Sequence, residues 1–286
     1  MATMRVISDT QELREHVDAC RHEQTGLAFV PTMGNLHEGH LALVRRGLEL
    51  AGTVVASIFV NPLQFGENED LDAYPRTLEA DLHQLESLGV DCVFTPSVHQ
   101  LYPNGLESHT QVHVPGLTDV LCGRSRPGHF DGVTTVVCKL LNIVRPDVAV
   151  FGNKDLQQRL VVSKMVHDLA LPVSIEGVPT ARAADGLALS SRNGYLSPSA
   201  RQLAPQLYAH LSEVGRAVLA GNRDYSALCD EAIHQLNSAG FLCEYFEARR
   251  CSDLKPAASS DPDIAFFAAA QLEGTRLIDN LTVALN

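Results

Sequence analysis

Two histidines three residues apart, His37 and His40, stand in the run Pro31-Thr32-Met33-Gly34-Asn35-Leu36-His37-Glu38-Gly39-His40. Residues three apart share one face of a helix, so both rings can address one ligand. A zinc-binding HExxH needs a spacing of four, so metal ligation by this pair is not expected. Gly34 and Gly39 let backbone come close to a ligand, and the first turn of a helix offers free N–H groups and a positive dipole that suit phosphate. A pair of capping or buried histidines is the alternative. A second run, Gly152-Asn153-Lys154-Asp155-Leu156-Gln157-Gln158, brings an ammonium that suits phosphate. A third, Leu189-Ser190-Ser191-Arg192, places two hydroxyls before a guanidinium, which can clamp a polyphosphate or simply cap a turn. Gln64, Gln157 and Gln158 are neutral and both donate and accept, which fits a small hydroxylated or carboxylated substrate. Arg126-Pro127-Gly128-His129-Phe130 reads either as another anion-facing helix start or as a rigid one. Neither GxxxxGK[ST] nor GxGxxG occurs, so a nucleotide is held in another way.

These clusters need elements to carry them. Apolar runs at 25–32, 54–60, 91–96, 147–152 and 173–178 suit strands buried on both faces. Helical periods lie between them: Leu41, Val44, Leu48, Ala51; Leu78, Leu82, Leu85, Leu88; and Val133, Val136, Val137, Leu140, Leu141, Val144. Such alternation predicts an α/β doubly wound parallel sheet, whose ligands bind beyond the carboxyl ends of the strands. The polar clusters follow the first, second and fourth runs, which predicts one shared site. After Ala183-Ala184-Asp185-Gly186 the pattern changes. A helix starting at Ser197-Pro198, with Pro205 as a kink or late start, a second over 225–238, and extended runs at 243–250, 264–270 and 276–283 predict a smaller α+β domain. The expected division is 1–183 and 184–286.

Lys plus Arg is 22 and Asp plus Glu 34, so 22 − 34 = −12, which argues against a nucleic-acid surface. No run approaches about 18 apolar residues, so no membrane span is expected. The start, MATMRVISDTQELREH, has no basic-then-apolar leader, and secretion is not expected. Seven widely spaced cysteines without CxxC read as reduced packing thiols, dispensable to chemistry.

PTMGNLHEGH resembles the HxGH element of the nucleotidylyltransferase superfamily. The ordered set PTMGNLHEGH, SIFVNPLQF, YPRTLEADL, RPGHFDGVTTVV, FGNKDLQQ and DGLALSSRN, with a weaker RLIDN at 276–280, resembles the pantoate–β-alanine ligase (pantothenate synthetase) family. The resemblance implies a Rossmann-like domain with a C-terminal lid, a homodimer, and cytoplasmic coenzyme A biosynthesis. It implies ATP contacts at Met33, Gly34, Asn35, Leu36, His37, Glu38, Gly39, His40, Gly152, Asn153, Lys154, Asp155, Ala181, Leu189, Ser190, Ser191 and Arg192. Pantoate and β-alanine would meet Gln64, Gln158 and Asn61. His40 would be the proton donor, with Lys154, His37 and Arg192 completing the catalytic set. The implied reaction joins pantoate to β-alanine through a pantoyl adenylate, releasing pyrophosphate and AMP. Mg²⁺ would bridge ATP phosphates without a dedicated protein site, Asp81 being a weak candidate ligand. Asn153 and Leu156 depart from the usual Glu and aromatic residue. A nucleotidyl transfer to a phosphorylated acceptor and a non-catalytic nucleotide sensor are the other readings.

Overall fold

Short apolar runs become strands because they can be covered on both faces. The computed structural model describes residues 4–21, 26–67 and 69–285. Thr25, the first residue of the first expected run, and the first three residues of the chain lie outside these. The strands β1 (Arg5–Ile7), β2 (Leu27–Thr32), β3 (Thr53–Ile58), β4 (Cys92–Phe94), β5 (Val148–Gly152) and β6 (Ser174–Val178) form one sheet in the order β1-β4-β3-β2-β5-β6. Every pairing is parallel. Leu27–Val30 and Thr53–Ser57 are buried residue after residue, as expected for a sheet with helices on both faces.

The helices are α1 (Thr10–Arg21), α2 (Glu38–Leu50), α3 (Leu78–Leu88), the single turns α4 (Val98–Leu101) and α5 (Cys122–Ser125), then α6 (His129–Val144) and α7 (Leu156–Asp168). α6 buries Val133, Val136, Val137, Leu140, Leu141 and Val144, the stripe read from the sequence. β1, α1 and α7 were not among the expected elements. The Gln-Gln-Arg start of α7 hides its apolar residues, Leu156, Val161, Val162, Met165 and Val166.

The chain runs outward from β2 through β3 to β4, then returns to β5 and β6 on the other side of β2. The winding therefore reverses between β2 and β5, where Ala28 faces Val148 and Phe29 faces Ala149. At such a switch point the loops leaving the two strands part and open a crevice.

Beyond it, α8 (Pro198–Leu203), α9 (Gln206–Leu219) and α10 (Tyr225–Ser238) precede an antiparallel sheet of β7 (Leu242–Arg250), β8 (Asp263–Leu272) and β9 (Thr275–Ala284). Pro205 separates α8 from α9 rather than kinking one helix, because it has no N–H to continue the ladder. β8 alternates between two cores. Ile264, Phe266, Ala268 and Ala270 pack with α9 and α10, whereas Ala265, Phe267 and Ala269 join the core of the parallel sheet. Period two sends neighbours to opposite faces, so one strand binds the two parts of the chain together.

Candidate active site

A cleft of about 570 Å³ opens at the switch point. Its walls come from the loops after β2, β3, β5 and β6, the start of α6, the 187–195 segment and one end of the antiparallel sheet.

His37 is the N-cap of α2. Its Nδ1 accepts from the Gly39 N–H at 3.1 Å, and the Nδ1 of His40 accepts from the His37 N–H at 3.3 Å. The two rings thus close a reciprocal capping box, the pattern Ser and Glu usually make. A ring nitrogen that accepts from a backbone N–H carries no proton. Each neutral ring must hold its proton on Nε2, the nitrogen turned away from the cap. Gly39 is required for this arrangement. A Cβ there would sit 2.8 Å from the His37 ring, so its missing side chain makes room for the cap rather than for a ligand.

Burial pushes His40 down to about 3, assisted by the charge it would feel from His37. Burial and the Lys154 ammonium push His37 down to about 4. His129, buried beside Arg126, also falls to about 4. All three rings are therefore neutral near pH 7. An unfolded imidazole titrates near about 6.5. As pH falls below that, the unfolded chain takes up protons that the folded one refuses, so stability declines toward the folded values. Each ring contributes up to about 1.4 kcal/mol per pH unit in that window. Urea unfolding between about pH 7 and 4 should show this steep loss; a flat profile would mean the rings protonate without unfolding.

Lys154 leaves β5 in a single 3₁₀ turn, Asn153–Asp155. Its side chain is 18% exposed and its Nζ lies 3.7 Å from Asp155 Oδ1. The turn is held from outside: Asn280 Nδ2 on β9 donates to the carbonyls of Asn153 and Lys154 at 2.9 and 2.8 Å. Asn153 does not line the cleft. Its Oδ1 and the Arg159 Nε are both buried without a hydrogen-bond partner among the described residues, and both lie beside Gly177.

The β3 loop presents Gln64. Asn61, 1% exposed, donates from Nδ2 to Gln64 Oε1 (3.2 Å) and to the Gly132 carbonyl (3.1 Å). Gln64 Nε2 donates to Met33 Sδ at 3.0 Å. The Gln64 carbonyl accepts from Arg126 (3.2 Å) and from His129 Nδ1 (2.8 Å). Arg126 also donates to His129 Nε2 and pairs with Glu69. The Arg126–Phe130 segment is thus a brace for the Gln64 turn. Gly132 lets α6 touch that turn, since a Cβ there would lie 2.2 Å from the Leu63 carbonyl oxygen. Glycine to alanine inside a helix normally stabilises by about 1 kcal/mol. Gly132→Ala should instead destabilise by about 1–3 kcal/mol through overpacking. A raised melting temperature would refute that contact.

The Ser190–Arg192 segment is already engaged. Arg192 makes two hydrogen bonds to Asp70, 3.0 and 2.7 Å. Ser190 Oγ caps the Arg192 N–H, and Ser191 Oγ donates to the Asn35 carbonyl at 3.1 Å. The cluster is both a capped turn and part of the cleft wall.

Of the expected site residues, Met33, His37, Gly39, His40, Asn61, Gln64, Gly152, Lys154, Asp155, Gln158, Ala181, Leu189, Ser190, Ser191 and Arg192 come together around the cleft. Gly34, Asn35, Leu36, Glu38 and Asn153 do not line it. Leu36 is in the core and Glu38 pairs with Arg45 on the surface. Gln157 points inward, donating to the carbonyls of Leu117 and Val120 and accepting from the Cys122 N–H. Consecutive helical residues point about 100° apart, so Gln158 faces the cleft while Gln157 cannot. Asp81 is 1% exposed and accepts from the N–H groups of Asn35 and Leu36, so it shapes the histidine loop rather than reaching a cation. Among the described residues no group of three or more His, Cys, Asp or Glu could hold a metal ion, and no helix is long and apolar enough to cross a membrane.

Several partners were not singled out from the sequence. Asp70 and Tyr74 meet Arg192. Arg182 stacks on Tyr208 and pairs with the buried Asp279. Arg276 pairs with Glu244 and reaches Ser125, passing 3.6 Å from Cys122 Sγ. Their visible signals were RLIDN, which contains Arg276, Asp279 and Asn280, and YPRTLEADL, which begins at Tyr74. No disulfide forms among the described residues, and Cys122 sits against Arg276, a residue of the cleft wall.

A family model described as Pantoate-beta-alanine ligase matches residues 5–282. The chain is 53% identical over 283 residues to the pantothenate synthetase of Pseudomonas paraeruginosa, covering 99% of this chain and all of that one. It is 54% identical over 282 residues to that of Pseudomonas entomophila, covering 99% and 98%. The crystal structure of pantothenate synthetase from Thermus thermophilus superposes with a TM-score of 0.88 at 45% identity, over 97% of this chain and 99% of that one. A pantoate-beta-alanine ligase from Francisella tularensis, complexed with beta-gamma ATP and beta-alanine, superposes with a TM-score of 0.82 at 33% identity over 97% of each chain.

Proposed function

The chain belongs to the pantoate–β-alanine ligase family, and on that premise we propose that it condenses pantoate with β-alanine at the expense of ATP, through a pantoyl adenylate. One observation carries the reading: His37, His40 and Lys154 share a single cleft with Gln64 and Gln158. The first three suit phosphate and the two amides suit a hydroxy acid.

In the first step a pantoate carboxylate oxygen bonds to the α-phosphorus of ATP, and the bond to pyrophosphate breaks. In the second the β-alanine amine bonds to the activated carbonyl, and AMP leaves. Adenylation replaces oxide, an impossible leaving group, by a phosphate ester. Both steps move charge onto phosphate oxygens, so catalysis is positioning and electrostatic stabilisation. Lys154 supplies a full positive charge at the transferred phosphate. His37 and His40 supply Nε2–H donors. We assign His40 as a hydrogen-bond donor rather than a source of a proton, because its ring is neutral and pyrophosphate can leave as an anion. Arg192 would exchange Asp70 for the outer phosphates, with Ser190 and Ser191 at the turn. Mg²⁺ fits as an ion carried by the triphosphate and water, with the Asp155 carboxylate at the cleft wall; it would neutralise phosphate charge.

The 183/184 division is proposed as a hinge, because the strand–helix alternation of the parallel sheet stops there after β6. β9 would then act as a lid edge, tied to the Lys154 turn through Asn280. Family membership also supports a homodimer and a place in cytoplasmic coenzyme A biosynthesis. Pyrophosphate–ATP isotope exchange tests the two-step order. It should require pantoate and Mg²⁺ but not β-alanine; a strict need for β-alanine would sink the two-step order.

A further inference from the structure

Gln64 can present either end of its amide to the cleft, and the two ends select opposite chemistry. Its neighbours decide which. The Gly132 carbonyl can only accept and the Leu63 N–H can only donate, so Asn61 must place Nδ2 toward the first and Oδ1 toward the second. The Leu63 contact is long, 3.4 Å. The strong donor to Asn61 Oδ1 is the Tyr102 hydroxyl, at 2.9 Å in the protein interior. Asn61 Nδ2 then occupies Gln64 Oε1, and Gln64 is left with Nε2–H directed at Met33 Sδ. A thioether is a weak acceptor, easily exchanged for a substrate oxygen.

We infer that Tyr102 is a positioning residue: through Asn61 it fixes the Gln64 amide so that the cleft offers an N–H donor and selects a substrate hydroxyl or carboxylate over an ammonium. Tyr102 is suited to hold this polarity. It is 2% exposed, with the Lys139 Nζ 5.2 Å from its ring centre and the His109 ring edge-on at 5.4 Å. Burial pushes its phenol upward from the usual range, which keeps it an O–H donor near neutral pH. A relay of this kind discriminates because the wrong substituent leaves two donors facing each other at the half-buried cleft wall.

The inference rests on the placement of pantoate at Gln64, and the test separates the two. In the full-length protein, KM for pantoate, KM for ATP and kcat would be measured, together with inhibition by the pantoate analogue carrying an ammonium in place of the 2-hydroxyl. Tyr102→Phe should raise pantoate KM about 5–10-fold, the worth of one internal hydrogen bond, with ATP KM unchanged. Its preference for pantoate over the amino analogue should narrow by a similar factor. In an Asn61→Ala background the same change should add less than about 2-fold, since coupled residues are not additive. A folded Tyr102→Phe protein with unchanged pantoate KM, or one whose full effect persists without Asn61, overturns the relay. Should Tyr102→Phe not fold, Asn61→Asp decides. Aspartate cannot donate to Gln64 Oε1, so Gln64 should turn its carbonyl to the cleft and the preference should shift toward the ammonium analogue; an unchanged preference overturns the proposal. Gln64→Ala serves as the control. If it leaves pantoate KM unchanged, the substrate placement itself is wrong. If it raises KM while Tyr102→Phe does not, only the relay is lost.

Discussion

Lys154→Ala should slow adenylate formation about 10²–10³-fold, equivalent to about 3–4 kcal/mol of transition-state stabilisation. The ammonium stands at the carboxyl end of β5, beside the histidine pair, with the Asp155 carboxylate 3.7 Å away. The turn that carries it is fixed through backbone carbonyls to Asn280, so removing the side chain leaves the turn in place. No core cavity forms, and the melting temperature should stay close to that of the parent. ATP affinity should fall less than the rate, because charge accumulates on the phosphate as the bond to pyrophosphate breaks. Single-turnover adenylation and ATP binding on the same folded protein check this. Equal losses in both would reduce Lys154 to a ground-state anchor, and near-normal adenylation would remove it from the mechanism.

His40→Gln separates two jobs held by one ring. A glutamine at the third helical position is the usual partner in a capping box, so it can still accept from the His37 N–H and keep α2 capped. With Oε1 held by the cap, its amide N–H₂ no longer stands where the rigid ring places Nε2–H. Adenylation should therefore drop about 10²-fold, the loss of one preorganised donor, while stability changes little. His40→Ala should lose both, adding about 1 kcal/mol of destabilisation from the missing cap. His37→Asn is the parallel experiment at the N-cap, where asparagine is a favoured residue. Were His40→Ala as active as the parent, the ring would be a helix cap and nothing more.

The elements were legible because burial writes itself into the order of residues. Runs such as Leu27–Val30 and the α6 stripe are apolar for a reason local to their strand or helix, and 225–238 was read to the residue as α10. The clusters after β2, β3 and β5 were legible too, since polar residues at strand ends have no packing role to explain them. Direction within a cluster was not. Gln157 and Gln158 are one residue apart, and only the start of α7 at Leu156 decides which faces the cleft. Asp81 is an acidic residue on a helix like any other until the fold brings Asn35 and Leu36 onto its carboxylate.

The sequence by itself determined the α/β alternation, the family, and which short segments could meet phosphate or a hydroxy acid. Those properties depend on residue type and near spacing. The tertiary structure decided what each polar group has left to offer. Nδ1 of both histidines is used by the helix cap, Oε1 of Gln64 by Asn61, and Arg192 by Asp70. A buried donor or acceptor must be satisfied by whatever lies beside it. The cap and the Asn61–Gln64 contact are local, two or three residues apart, but Asp70 lies 122 residues from Arg192 and Asn35 lies 156 from Ser191, so no local pattern could have announced those.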